Sequence, residues 1–179
     1  MGGGFAVRPV VHLVGCGTRP TGDLPGFAAA LRGDGWDPYI VPSPVGLRFL
    51  DVAAAEGESQ HAVHWDFVPD APEELPQAQA VVVAPATFNT ITKLAVGAAD
   101  TLALAVAAEA IGARRPVVVA PWANASLSSH PVYARSLRAL QEWGVIVLPG
   151  DQTQPFPWTP LREHLARIRT GLVAEFDGA

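Results

Sequence analysis

Five short apolar runs punctuate the chain, and polar residues do not alternate regularly within them. They are "PVVHLVG" (9–15), "DPYIVPS" (37–43), "AVVVAP" (80–85), "RPVVVAP" (115–121) and "VIVLPG" (145–150). A strand without a polar side has no face to show water, so it must be covered on both. Segments of helical composition lie between the runs. Strands alternating with helices, each strand covered on both faces, predict a doubly wound α/β fold, Rossmann-like or flavodoxin-like, with a parallel sheet between two helical layers.

The connecting segments support this. "GFAAALRGDG" (26–35) predicts a helix with a glycine stop, and "PVYARSLRALQEWG" (131–144) an amphipathic one with Pro131 in its first turn and Gly144 at its end. "TITKLAVGAADTLALAVAAEAIGA" (90–113) reads as helical with a break at Gly97, and "PLREHLARIRTGLVAEF" (160–176) as a last helix. Residues 51–79 fit least well. "EGESQHAVHWDFVPDAPEELPQ" is polar, contains three prolines, and reads as a long excursion of the kind that is often functional. With 179 residues and no linker or repeat, the chain is expected to form one domain, 1–179.

Composition narrows the partners. A net charge of −5 without a clustered basic face gives no electrostatic footprint for nucleic acid or an anionic membrane. No apolar run reaches membrane-spanning length, and "MGGGFAVRPV" has neither a signal-peptide pattern nor a myristoylation site, so a cytoplasmic protein is expected. Cys16 is the sole cysteine and the five histidines are scattered, so no metal site is expected.

A doubly wound sheet binds ligands beyond the carboxyl ends of its strands, and there this sequence becomes polar. After the first strand comes "GCGTRPTG" (15–22), whose glycines would let backbone approach a phosphate near a helix N-terminus. An ordinary strand-to-helix turn accounts for it equally well. "PATFNT" (85–90) follows the third strand and "PWANASLSSHP" (121–131) the fourth. Asn89 and Asn124 can reach one crevice there, where neutral amides suit a ligand with paired donors and acceptors, such as a flavin edge.

These stretches resemble the homo-oligomeric flavin-containing cysteine decarboxylases, which include phosphopantothenoylcysteine decarboxylase and the lantibiotic peptide decarboxylases. "PATFNT" is similar to that family's PASANT motif, and "ITKLAVGAADTLA" to its I-x-K-x-A-x-G-x-x-D-N-L, with Thr101 in place of Asn. "PWANASLSSHP" matches P-x-M-N-x-x-M-W-x-x-P in length and keeps Pro121, Asn124 and Pro131. The resemblance spans roughly residues 9–150 and is looser in the first half, where Gly17–Thr18 and the spacing from Ser43 to Phe49 carry it.

The resemblance implies FMN, held by Gly17, Thr18, Ser43, Phe49, Ala86, Thr87, Asn89 and Thr90. It implies a homotrimer, or a multiple of one, with the flavin at a subunit interface, and a peptide or small-molecule thiol as substrate. Oxidation of the substrate's cysteine to a thioaldehyde makes loss of CO₂ easy. Asn124 would hold the substrate carboxylate or amide, and a histidine would manage protons. His64 in "HWDF" fits that role best, with His61 as competitor.

The sequence also departs from the family. Ala123, Leu127 and Ser128 replace a methionine and a Met-Trp pair in the substrate segment, and no cysteine follows residue 150. An oxidative decarboxylase of a peptide or small thiol therefore fits better than the coenzyme A pathway enzyme. Two other readings stand beside it: an FMN protein with different redox chemistry, and a non-catalytic regulatory subunit. Elsewhere, Cys16 reads as a small packed residue, His12 as a core histidine, His130 as a neighbour of a helix cap and His164 as solvated. Trp36, Trp143 and Trp158 read as packing residues. Trp65 and Trp122 flank the candidate site and can either stack on a ligand or pack.

Overall fold

The computed structural model describes residues 8–67, 75–150 and 152–177. The reading of "MGGGFAVRPV" falls mostly on residues 1–7, outside the described residues, as does part of the 51–79 excursion. Among the described residues five parallel strands form one sheet: β1 (Val10–Val14), β2 (Asp37–Ile40), β3 (Ala80–Ala86), β4 (Val117–Pro121) and β5 (Ile146–Val147). The order is β2-β1-β3-β4-β5, the flavodoxin-like winding, as expected.

The strands are apolar on both sides because both sides are covered. Along β3, Ala80, Val82 and Ala84 join one buried cluster, and Val81, Val83 and Ala86 the other. The first cluster packs under α1 (Leu24–Gly33), α2 (Val52–Ser59) and α7 (Trp158–Asp177), which contribute Leu24, Leu31, Ala55, Leu161 and Leu165. The second packs under α3 (Phe88–Leu94), α4 (Leu102–Gly112) and α6 (Pro131–Glu142), through Ile91, Leu94, Leu104, Ala107 and Leu140. Fully burying a side chain of leucine size stabilises the fold by about 1.5–3 kcal/mol, so these paired layers carry the structure.

Differences from expectation have local causes. Residues 51–79 are not wholly irregular: Asp51 accepts a hydrogen bond from the Ala54 amide and starts α2. The fifth strand is two residues long rather than six, because Pro149 has no N–H to extend a ladder whose last bond runs from Leu148 to Val119. The break at Gly97 is present. That residue takes φ +73°, α3 ends before it, and α4 begins on a cap from Thr101, whose hydroxyl accepts from the Leu104 amide at 3.2 Å. After β1 the chain enters a short 3₁₀ turn (Arg19–Asp23) before α1.

Candidate functional site

A cavity of about 560 Å³ opens beyond the carboxyl ends of β1, β3 and β4, where the strand order reverses between β1 and β3. Among the residues expected to bind a cofactor, Gly17, Thr18, Ser43, Thr87, Asn89 and Thr90 line it, and Asn124 lines it as well.

The loop after β1 and the loop after β2 meet at one wall. The Ser43 amide donates to the Gly15 carbonyl at 2.8 Å, and the Gly46 amide donates to Ser43 Oγ at 3.0 Å. The approach is too close for side chains. A Cβ on Gly17 would meet Val45 Cγ1 at 2.5 Å, and one on Gly46 would strike the Gly15 backbone and sit 3.0 Å from Ser43 Oγ. The bare backbone is therefore a requirement of this wall. The Thr18 amide is already spent on the Cys16 carbonyl at 2.7 Å, and the Thr18 side chain makes no cap bond to the turn that follows.

The second wall is "PATFNT". Thr87 Oγ1 and Thr90 Oγ1 lie 3.1 Å apart, and the Thr90 hydroxyl donates to Cys16 Sγ at 3.1 Å. Cys16 is fully buried beneath the cavity floor. Burial pushes its thiol pKa up, against smaller opposing effects of the Thr90 hydroxyl and the Thr87 backbone. It is the packed residue expected from sequence, and its thiol stays neutral.

The third wall follows β4. Asn124 caps the four-residue helix α5 (Ala125–Ser128), its Oδ1 accepting from the Leu127 amide at 3.0 Å. One lone pair of that oxygen is thereby used, and the Nδ2–H₂ end, which the cap does not engage, can serve a ligand. Trp122, Ala123 and Leu127 line the cavity beside it, and Phe88 faces them. Phe88 stacks on Tyr133 at 6.0 Å and meets His130 edge-on at 5.6 Å, and His130 is itself the cap of α6.

Other expected residues lie elsewhere. Ala86 is buried under the site, with its carbonyl accepting from the Trp122 amide. Phe49 is 41% exposed and does not line the cavity. Neither His64 nor His61 lines it: His64 donates its amide to Ile40 at 3.3 Å, and His61 bonds Asp37. Trp65 is exposed away from the cavity. Trp36 is fully buried, whereas Trp143, read as packing, is 48% exposed.

Lys93, Thr101, Leu104 and Gln152 also line the cavity and were not expected as site residues. Lys93 was detectable in principle, since it lies one helical turn beyond Asn89 and so shares its face. Its ammonium sits 2.6 Å from Asp100 Oδ2. No sequence signal marks Gln152. The cavity thus offers hydroxyls, amides and bare backbone between apolar walls, a surface for a planar heteroaromatic ligand with polar edges.

Comparison with known proteins agrees. Residues 56–174 match the family described as Flavoprotein. The bifunctional coenzyme A biosynthesis protein CoaBC of Mycobacterium tuberculosis (strain ATCC 25618 / H37Rv) is 34% identical over 115 residues, 61% of this chain and 27% of that protein. The match thus spans about a quarter of that relative's length. The structure of the FMN-dependent cysteine decarboxylase SpaF superposes with a TM-score of 0.69 at 27% identity, over 85% of this chain and 88% of that one. That of TvaF, an FMN-dependent cysteine decarboxylase from thioviridamide biosynthesis, gives 0.73 at 24% identity, over 91% and 97%, a likeness of fold.

Proposed function

The chain belongs to the Flavoprotein family, and from that premise we propose that it is an FMN-dependent oxidative decarboxylase of a cysteine-containing peptide or small thiol. The observation that carries the reading is the meeting of "GCGTRPTG", Ser43, "PATFNT" and Asn124 around one cavity at the switch point. The residues fit the cofactor. Gly17 lines the cavity, and a Cβ there would strike Val45, so bare backbone faces the ligand; behind it Gly46 lets the two loops close on one another. Thr18, Ser43, Thr87, Asn89 and Thr90 supply polar edges, and Phe88 and Trp122 supply apolar walls.

A flavin supplies a two-electron acceptor for the substrate's thiol-bearing carbon. The rest falls to the chain. The Asn124 amide hydrogens anchor the substrate carboxylate, and the threonine hydroxyls orient the cofactor. The cysteine carbon bearing sulfur loses a hydride and the thiol loses its proton, leaving a thioaldehyde. The carboxylate beta to that C=S then departs as CO₂ and leaves an enethiol. His64 takes the thiol proton.

His64 lies outside the cavity of its own subunit, so the reading requires a second copy to bring it. We place the protein as a homotrimer, a closed symmetry that presents each subunit's surface to its neighbour's site. The half-buried Leu102, Ala105, Ala108 and Ile111 on α4, and the exposed Trp65 and Phe67, support such a contact. One domain over 1–179 and a cytoplasmic place belong to the same proposal. Among the described residues no helix is long and apolar enough to cross a membrane. A second reading, other redox chemistry on the same flavin, is favoured by Ala123 and Leu127 in the substrate wall.

The test is to load the protein with FMN and incubate it with cysteine-terminated peptides and small cysteine conjugates. Loss of CO₂ plus two hydrogens in the mass spectrum is expected. A flavin that binds but is bleached by no thiol, with no such mass change, refutes the decarboxylase and leaves the second reading.

A further inference from the structure

Away from the cavity, three of the five histidines gather around Tyr39 on β2. We propose that Asp37, His61 and Tyr39 form a latch that sets the register of residues 61–64 against the sheet edge, and so positions His64. This rests on the reading of His64 as the proton-handling group.

The chain leaves α2 through Gln60, which adopts a left-handed conformation with φ +65°. His61 follows at once, and its ring is held in two ways. Nε2–H donates to Asp37 Oδ1 at 2.7 Å, and the ring face stacks on Tyr39 at 3.8 Å with only 13° between planes. Asp37 and the turn are tied together from behind. Arg32 Nη1 lies 4.0 Å from Asp37 Oδ1 and donates to the Ser59 carbonyl at 3.0 Å, while the buried Ser59 hydroxyl donates to the His61 carbonyl at 3.1 Å. The His61 and Asp37 side chains are only 25% and 26% exposed, so this is not a freely solvated surface pair.

The register follows from the spacing. His61 meets Asp37, and three residues later the His64 amide meets the Ile40 carbonyl, three residues along the same strand. Residues 61–64 therefore run beside β2 in the same sense, like a rudimentary extra strand. The bond at His64 is long, 3.3 Å, and a long edge hydrogen bond defines register weakly. The latch at the other end is tight and chemically specific. A slip of one residue would break the His61–Asp37 bond and the Tyr39 stack together, and would move His64 by about 3.3 Å. This separates the two candidate histidines. His61 has both an edge and a face occupied, and is a positioning residue; His64 is the one it presents.

The test uses the full-length chain with FMN in excess, comparing wild type with His61→Ala, Asp37→Ala and Asp37→Asn. Asparagine keeps an acceptor for His61, so Asp37→Asn is the conservative rescue. Amide hydrogen exchange at His64 should quicken about tenfold or more in both alanine variants and stay near wild type in Asp37→Asn, with β3 and α4 unchanged. FMN affinity should stay within about twofold, because none of the three residues touches the cavity. With a turned-over thiol, kcat should fall roughly ten- to a hundredfold at unchanged KM. Unchanged exchange overturns the latch whatever the activity, and faster exchange with unchanged kcat overturns its positioning role. Faster exchange in a protein whose wild type turns over no thiol upholds the latch and refutes the decarboxylase instead. If Asp37→Ala does not fold, His61→Ala carries the comparison, since its side chain is a quarter exposed.

Discussion

Acid should weaken this fold in part through one buried side chain, His12 on β1. Its ring is 5% exposed, its Nε2–H donates to the Pro76 carbonyl at 2.9 Å, and its buried Nδ1 has no hydrogen-bond partner. Burial is the main force lowering its pKa from 6.5 to about 4; the Pro76 bond opposes it, and His64 and Arg115 add lesser repulsion. Because the folded pKa lies below the unfolded one, the neutral ring favours the folded state fully above pH 6.5. That advantage is lost as pH falls toward 4, since the unfolded chain takes up a proton that the folded one refuses. The whole difference corresponds to about 3 kcal/mol, and about 2 kcal/mol of it is gone by pH 5.

The perturbation is His12→Leu, which removes the titrating group. It also leaves the Pro76 carbonyl without its donor, costing about 1 kcal/mol at every pH. Urea unfolding at pH 7.5 and 5.0, at one protein concentration, gives four stabilities. Carboxylates such as Asp34, held low chiefly by its hydrogen bond from Arg162, lose stability in acid equally in both proteins and cancel. Wild type should lose about 2 kcal/mol more than His12→Leu between the two pH values, or a midpoint difference near 1 M urea. A double difference within about 0.5 kcal/mol would mean that the ring is not held neutral, and the reasoning fails.

Gly46→Ala should abolish FMN binding and destabilise the protein by about 1–3 kcal/mol, because the added methyl meets fixed backbone at Gly15; a flavin titration and a melting curve check both. Cys16 should react with a soluble disulfide reagent at least about a hundredfold more slowly in the native protein than in urea, and fast native labelling would contradict its burial. Asn124→Ala should lower stability by only about 1 kcal/mol through the lost α5 cap, yet raise the KM for a carboxylate-bearing thiol about tenfold.

Apolar runs at the strands and glycines at the breaks made the sheet legible, because burial on both faces leaves runs too short for a buried helix and without polar alternation. The helix after Asp51 was harder to see. Its cap and alanines are present, but glycine and a run of polar residues follow, and prolines crowd the next segment. The cavity was legible where its residues follow strands directly, as Asn89 and Asn124 do. Phe49 and His64 do not line the cavity of their own subunit, because sequence spacing fixes how far a loop can reach but not the direction in which it leaves the sheet. The His61–Asp37 pairing had no signal at all, since its partners lie 24 residues apart on elements with no shared period.

The third wall of the cavity has an evolutionary consequence. Helix α5 buries none of its residues, while the chain on either side is anchored by Ala123 and Tyr133. The stretch between those anchors is thus a cassette, able to change composition at little cost to the core beneath it except at Ser128, whose hydroxyl donates to the Ala123 carbonyl at 3.3 Å. A library randomised at residues 125–129 should return mostly folded, flavin-coloured proteins. Selection on such a library would act on what the cavity admits, with the scaffold as a constant background.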